Sequence, residues 1–172
     1  YTEQLVSGGL EVALITNGIA ILDKHIDTIR KMNYVAVSVY STQEDRYKEI
    51  TGSKFFNRQF SLPKNIKSSK SNTIVGARCV LNKINYDEMY EIYCSAINAG
   101  FDYIIFIPAI DYEGRGVFLE DSWIDHVQRS IIEMLDKFDH SRTNVKSLLK
   151  KKVSHYSNSN YLDDITCNGS EL

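Results

Sequence analysis

The sequence predicts an α/β domain built on parallel strands. Three observations carry that prediction. Four strand-sized apolar runs recur along the chain, helix-like segments separate them, and each run ends in a small polar cluster. Serial β–α units join parallel strands through crossovers. In such folds ligands bind at the carboxyl ends of the strands, so the polar clusters predict one composite site.

Residues 1–9 read as the end of an element closed by Gly8 and Gly9. The first strand spans Leu10 to Ile15 and ends in Thr16-Asn17-Gly18. Ile21, Leu22, Ile26, Ile29 and Met32 keep a helical period across 20–32. The second strand starts at Tyr34 and carries Ser38 and Tyr40 at its end. A short charged helix over 43–50 stops at Thr51-Gly52. From Phe55 to Lys70 the reading is open. Phe56, Phe60 and Ile66 suit a helix, but Pro63 interrupts it or starts a second one.

The third strand runs from Thr73 to Leu81 and is followed by Asn82 and Asn85. Asn85-Tyr86-Asp87-Glu88 has the spacing of a capping box, so it predicts a helix start. Met89, Tyr90, Tyr93, Ala96 and Ile97 give that helix its stripe, and Gly100 ends it. The fourth strand spans Tyr103 to Ile107 and meets Pro108. After a loop with Gly114 and Gly116, Asp121 or Ser122 caps a helix to Phe138, with Trp123, Ile124, Val127, Ile131, Met134, Leu135 and Phe138 inward. Beyond Asp139 the character changes, with a basic helix expected over 147–156 and a polar loop after it.

The 172 residues, 43% of them hydrophobic, suffice for one domain with a core. A net charge of −2 and a pI near 6.1 give no case for a nucleic-acid surface. No apolar stretch reaches the roughly 18 residues of a membrane span, so no membrane partner is expected. No signal peptide is visible. The chain begins at Tyr1 rather than Met, so its true N-terminus is expected upstream. Cys79, Cys94 and Cys167 are odd in number and widely spaced, which predicts no disulfide framework and a reducing, cytoplasmic setting. No pair has C-x-x-C spacing.

Taken in order, Leu14-Ile15-Thr16-Asn17-Gly18, the strand carrying Ser38, Leu81-Asn82-Lys83-Ile84-Asn85, Gly100-Phe101-Asp102-Tyr103 and Phe106-Ile107-Pro108 resemble the radical SAM superfamily. The likeness is greatest to its branch with a C-terminal SPASM or twitch extension. It implies a partial (β/α)6 TIM-like barrel over 1–138 holding about strands three to six, and an extension over 139–172. It also implies S-adenosylmethionine and a 4Fe-4S cluster as cofactors, with a peptide or protein as substrate and flavodoxin or ferredoxin as electron donor. The family's C-x-x-x-C-x-x-C loop is not in this sequence, nor is its Gly-Gly-Glu-like motif. The chain therefore reads as a fragment, inactive alone, whose cluster ligands lie outside it.

By that resemblance Thr16, Asn17, Gly18, Ser38, Arg78, Asn82 and Pro108 bind the cofactor. Thr16-Asn17-Gly18 equally suits an ordinary turn. A hydroxyl at Ser38 equally suits a local backbone bond. Arg78 lies inside an apolar strand, where a charge needs an anion. That anion is either the cofactor carboxylate or an Asp or Glu across the barrel. Asn85 suits the site or an N-cap. Asp111, Tyr112 and Arg115 suit substrate contact or a surface loop.

Cys79 and Cys94 read as core residues. Cys167 reads as a plain thiol or an auxiliary-cluster ligand. The four histidines read as solvent-exposed, and Lys150-Lys151-Lys152 as a solvated face or a contact for an acidic leader peptide. Two other readings stand beside the first: a non-catalytic, degenerate barrel serving as an interaction domain, and an unrelated α/β enzyme with the same strand-end geometry.

Overall fold

The computed structural model describes residues 2–67, 71–109, 116 and 121–150. Four strands form on the four apolar runs: β1 (Ala13–Thr16), which starts three residues later than Leu10 because Leu10 stays exposed, β2 (Tyr34–Val39), β3 (Ile74–Leu81) and β4 (Tyr103–Pro108). They pair in sequential order, all parallel, as one four-stranded sheet. Between and around them lie α1 (Thr2–Ser7), α2 (Asp23–Ile29), α3 (Glu44–Thr51), α4 (Arg58–Ile66), α5 (Met89–Ala99), α6 (Asp121–Met134) and α7 (Val145–Lys150). The α/β class with parallel strands is therefore the observed one, as a partial TIM-like barrel requires.

Side-chain alternation explains how the layers form. Val35, Val37 and Val39 of β2 share one face with Val75, Ala77, Cys79 and Leu81 of β3 and with Ile104 and Phe106 of β4. Ile26, Leu62, Ile66, Ile92, Ala96 and Ile131 from the helices close over that face. Each large side chain withdrawn there contributes about 1.5–3 kcal/mol. The opposite face carries no part of that core among the described residues, and Ile15, Ile74 and Val80 stay 60%, 48% and 40% exposed on it.

Several local expectations need correcting. The α2 helix begins only at Asp23, because the chain from Gly18 to Leu22 turns instead of coiling. Its first turn is capped by His25, whose Nδ1 accepts the Leu22 N–H at 3.1 Å, so this histidine is half-buried and used. Pro63 neither ends nor starts a helix. It sits inside α4, buried, and the helix runs on to Ile66. The spacing of Asn85 and Glu88 does not make a capping box, since neither side chain caps α5. A 3₁₀ turn at Tyr86–Glu88 precedes α5, and both polar side chains are used elsewhere. The predicted helix end at Phe138 is instead a 3₁₀ turn at Leu135–Lys137.

The two sheet edges differ. Along β4 the segment 142–144 supplies a substitute strand. Ile104 N–H donates to Arg142 O at 2.9 Å, and the Asn144 amide exchanges two 2.9 Å bonds with the backbone of Phe106. Val145 and Leu148 then join the core. Among the described residues β1 pairs with β2 alone, so its outer edge is bare.

Asp111, Tyr112, Arg115, His155, Lys151, Lys152 and Cys167 lie outside the described residues, as do the side chains of Trp123, Ile124, Met134 and Lys150.

Candidate functional site

Strand register sets the face opposite the described helices in rows. Ile15, Ala36, Gly76 and Tyr103 form one row. Ser38, Arg78 and Ile105 form the next toward the carboxyl end, and Val80 and Ile107 follow. Arg78 is the one charged side chain among these strand positions. Both Ser38 and Arg78 are half-buried, and they stand directly opposite each other across β2 and β3. Among the described residues the Arg78 guanidinium has no hydrogen-bond or ion-pair partner, and the Ser38 hydroxyl has no hydrogen bond.

Below that row two tyrosines meet. Tyr103 starts β4 but crosses β3 to reach Tyr34 at the start of β2, and the two hydroxyls lie 2.6 Å apart. The rings are nearly parallel, 12° apart with centroids 6.3 Å apart. Only glycine permits this crossing. A Cβ on residue 76 would stand 2.6 Å from the Tyr103 Cζ and 2.7 Å from its hydroxyl oxygen. Burial and the Tyr34 hydrogen bond push the Tyr103 phenol well above its ordinary pKa, while the nearby Arg78 charge pulls weakly the other way.

A buried polar network ties the carboxyl ends of β2 and β3 together. Gln59 is buried; its Oε1 accepts the Tyr40 N–H at 2.9 Å and its Nε2 donates to Ser41 O at 2.8 Å. Asn85 donates to Tyr40 O at 2.7 Å and to Val80 O at 3.0 Å, and accepts the Asn82 N–H at 2.8 Å. Glu88 is 3% exposed. Its carboxylate accepts from Ser41 Oγ at 2.9 Å, Thr42 N at 2.8 Å, Thr42 Oγ1 at 2.7 Å and Arg46 Nη1 at 3.0 Å. Arg46 also forks onto Asp87, and that bond leads the causes raising its pKa.

Of the residues singled out from sequence, Ser38 and Arg78 come together on the open face. The others lie around its carboxyl rim. Thr16 Oγ1 accepts the Gly18 N–H at 3.0 Å and Asn17 Oδ1 accepts the Ile19 N–H at 3.1 Å, so both oxygens are spent within the turn. Gly18 has φ +77°, and a Cβ there would stand 2.6 Å from Leu62 Cδ1. Asn82 Oδ1 accepts the Ile84 N–H at 2.8 Å, again a local bond. Pro108 is buried and alternates with Phe106 onto the helix side.

Sequence reading missed Gln59, Ser41, Glu88 and the tyrosine pair. A usable signal existed for the last: a glycine inside an apolar strand run marks a close approach.

A cleft of about 520 Å³ between α2 and α4, which Arg58 and Asn65 help line, and another of about 420 Å³ between α1 and α2 lie away from these rows. Arg58 is already committed to Ile19 O and Ile21 O at 3.1 Å each.

Among the described residues no group of three His, Cys, Asp or Glu side chains converges as a metal site. Cys79 lies in the core, where burial pushes its thiol far above the thiolate range. No helix among the described residues is long and apolar enough to cross a membrane.

No family model matches this chain, and no curated protein does. Among solved structures it is similar to a domain of pyruvate-formate lyase-activating enzyme from Bacteroides vulgatus ATCC 8482, with 14% identity and a TM-score of 0.52. That likeness covers 79% of this chain and 81% of the other, and it shows a shared fold. A second likeness is to a protein described as a lyase or mutase from Burkholderia cenocepacia J2315, at 17% identity over 76% of this chain and 47% of that one. Its TM-score of 0.40 carries no argument.

Proposed function

We propose that this chain is the cofactor-binding part of a radical SAM enzyme acting on a peptide or protein, and that Arg78 and Ser38 receive the carboxylate of S-adenosylmethionine. One observation carries the reading. A guanidinium with no anion among the described residues stands half-buried in the middle of an otherwise uncharged sheet face, beside an unused hydroxyl. Desolvating such a cation is costly without a partner, and a carboxylate matches its fork of donors. The shared fold with an activating-enzyme domain supports the same reading.

The two implied cofactors fare differently against the residues present. Arg78 and Ser38 suit the amino-acid end of S-adenosylmethionine by chemistry and by position. The 4Fe-4S cluster does not fit: no cysteine triad is in the sequence, Cys79 is a core thiol, and no metal-ligand cluster occurs among the described residues. In this reading the cluster would be held by residues outside this sequence, and flavodoxin or ferredoxin would be the electron donor of the whole enzyme.

Arg78 and Ser38 would hold S-adenosylmethionine by its amino-acid end, and the cofactor would supply the radical chemistry of the whole enzyme. The residues here bind and orient. Arg78 would fix the carboxylate, and Ser38 would donate to it or to a neighbouring hydroxyl.

The test is calorimetric titration of the chain with S-adenosylmethionine. A hydrogen bond to a charged group is worth about 1.5–3 kcal/mol. Arg78→Ala is therefore expected to weaken binding by roughly tenfold or more, and Arg78→Lys to restore only part of it. Equal affinity in wild type and Arg78→Ala would return Arg78 to a packing role. Absence of binding by the wild type would favour the non-catalytic interaction domain. The coding sequence upstream of Tyr1 is expected to encode C-x-x-x-C-x-x-C.

A further inference from the structure

We propose that the cleft between α2 and α4 is a second ligand site, one that takes a small monocarboxylate with a short apolar body. It is independent of the proposed function, since it lies in the helical layer, away from Arg78 and Ser38. The cleft encloses about 520 Å³, within the roughly 300–1,000 Å³ usual for small-molecule sites.

Arg58 is the centre of the site. It opens α4 and is half-buried, yet no carboxylate pairs with it among the described residues. Its bonds to Ile19 O and Ile21 O, 3.1 Å each, both leave from Nη1. Nη1 carries two protons, and both are thereby spent. Nε and Nη2 have no hydrogen-bond partner among the described residues. Those two nitrogens share one edge of the guanidinium plane, the edge that meets a carboxylate through two parallel bonds. The Phe55 ring lies 5.7 Å from the guanidinium carbon and backs one face of it. The donor fork is thus set in place before any ligand arrives. Neutral carbonyls do not cancel the charge, so this half-buried cation still lacks an anion.

The rest of the cleft supplies what such an anion needs. Arg58, Ser61, Leu62 and Asn65 follow one another at i, i+3, i+4 and i+7, so they form one face of α4. Leu62 and, from α2, Ile26 are buried and give the cleft apolar lining. The Asn65 side-chain amide makes no hydrogen bond among the described residues and can donate to a second lone pair. Lys24 and Asp23 stand exposed on the α2 wall. Two cations against one carboxylate leave the cleft positive by a single charge. One ligand carboxylate balances that charge, whereas a phosphate dianion overshoots it and is repelled by Asp23.

The test is nuclear magnetic resonance of the whole chain titrated with sodium pentanoate, exchanged for sodium chloride so that ionic strength stays constant. Saturable shifts of the Arg58 Nε–H and of the Leu62 and Ile26 methyls are expected. Arg58→Lys keeps the charge but loses the fork and should weaken binding about tenfold. Lys24→Ala should weaken it about two- to threefold, and Asp23→Asn should strengthen it by a similar factor. Ser61→Trp fills the cleft from an exposed position on α4 and should abolish binding. Arg78→Ala should leave these shifts as they are. Circular dichroism and urea melts establish that each variant is folded.

Shifts that rise without saturating overturn the site. So does an affinity indifferent to both Arg58→Lys and Ser61→Trp in folded protein. Inorganic phosphate that binds there more tightly than pentanoate overturns the assignment to a monocarboxylate. Pentanoate shifts that vanish in Arg78→Ala put the anion on the sheet face, which overturns this site and leaves the proposed function standing.

Discussion

Glu88 is the sharpest test of how the strand ends are held. Replacing it with alanine removes the acceptor shared by Ser41 Oγ, Thr42 N, Thr42 Oγ1 and Arg46 Nη1. The four donors do not suffer equally. Arg46 keeps its fork on Asp87 and is partly exposed, so it is not orphaned. Ser41 has no exposed surface, and its hydroxyl loses both carboxylate contacts while still accepting the Gln43 N–H at 2.9 Å. The Thr42 N–H loses its acceptor as well.

Two stranded donors at about 1–3 kcal/mol each give about 2–6 kcal/mol. We expect about 3–5 kcal/mol for Glu88→Ala, a large part of the roughly 5–15 kcal/mol that holds a domain of this size together. With a urea slope of about 2 kcal/mol per molar, the midpoint should fall by about 1.5–2.5 M. Glu88→Gln keeps one acceptor oxygen and should cost clearly less. The assay is urea unfolding followed by circular dichroism. A loss below about 1 kcal/mol for Glu88→Ala, or equal losses for the two variants, would refute the reasoning and show that water replaces the carboxylate at little cost.

The remaining expectations are shorter. Gly18→Ala should cost more than Gly52→Ala, by about 1 kcal/mol or more: both glycines have positive φ, +77° and +66°, but only at Gly18 does the added methyl meet a neighbour, Leu62. Thermal melts of both variants check this, and equal losses would remove the Leu62 contact from the argument. The Tyr103 phenol is held neutral by burial and by Tyr34, so its folded pKa lies above its unfolded one. The stability it lends is complete below about pH 10 and is lost as pH rises beyond that. Absorbance titration should show a tyrosine that ionises late, and Tyr34→Phe should bring it earlier; if it does not move, the hydroxyl pairing does not matter. Anaerobic reconstitution with iron and sulfide should load far less than one cluster per chain, because the sequence offers no three-cysteine loop. Stoichiometric loading would mean that the cysteines have been misread.

What the sequence settles by itself here is local and periodic. The apolar runs read at 10–15, 34–39, 73–81 and 103–108 become strands at 13–16, 34–39, 74–81 and 103–108, the first starting three residues late, because alternation and β-branched content act over a few neighbouring residues. Gly52 and Gly100 close α3 and α5 in left-handed conformations that other residues resist. Serial β–α order leads to a parallel sheet, since each crossover returns the chain to the same end. That a charge at Arg78 needs a partner is also legible, because its strand is apolar on both sides in sequence.

Partner choice among polar and aromatic side chains is different, because it depends on the register between distant segments. Glu88 sits at the spacing of a capping box, yet Ser41 and Thr42, more than 40 residues earlier, bring it three better donors. Asn85 leaves the helix end for the carbonyls of Tyr40 and Val80, because carbonyls at buried strand ends need donors. Pro63 stays helical because it is packed inside α4's buried face. Tyr34 and Tyr103 meet only once β2, β3 and β4 lie side by side with Gly76 between them. Periodicity acts along the chain; these contacts exist only across it, so the tertiary structure alone decides them.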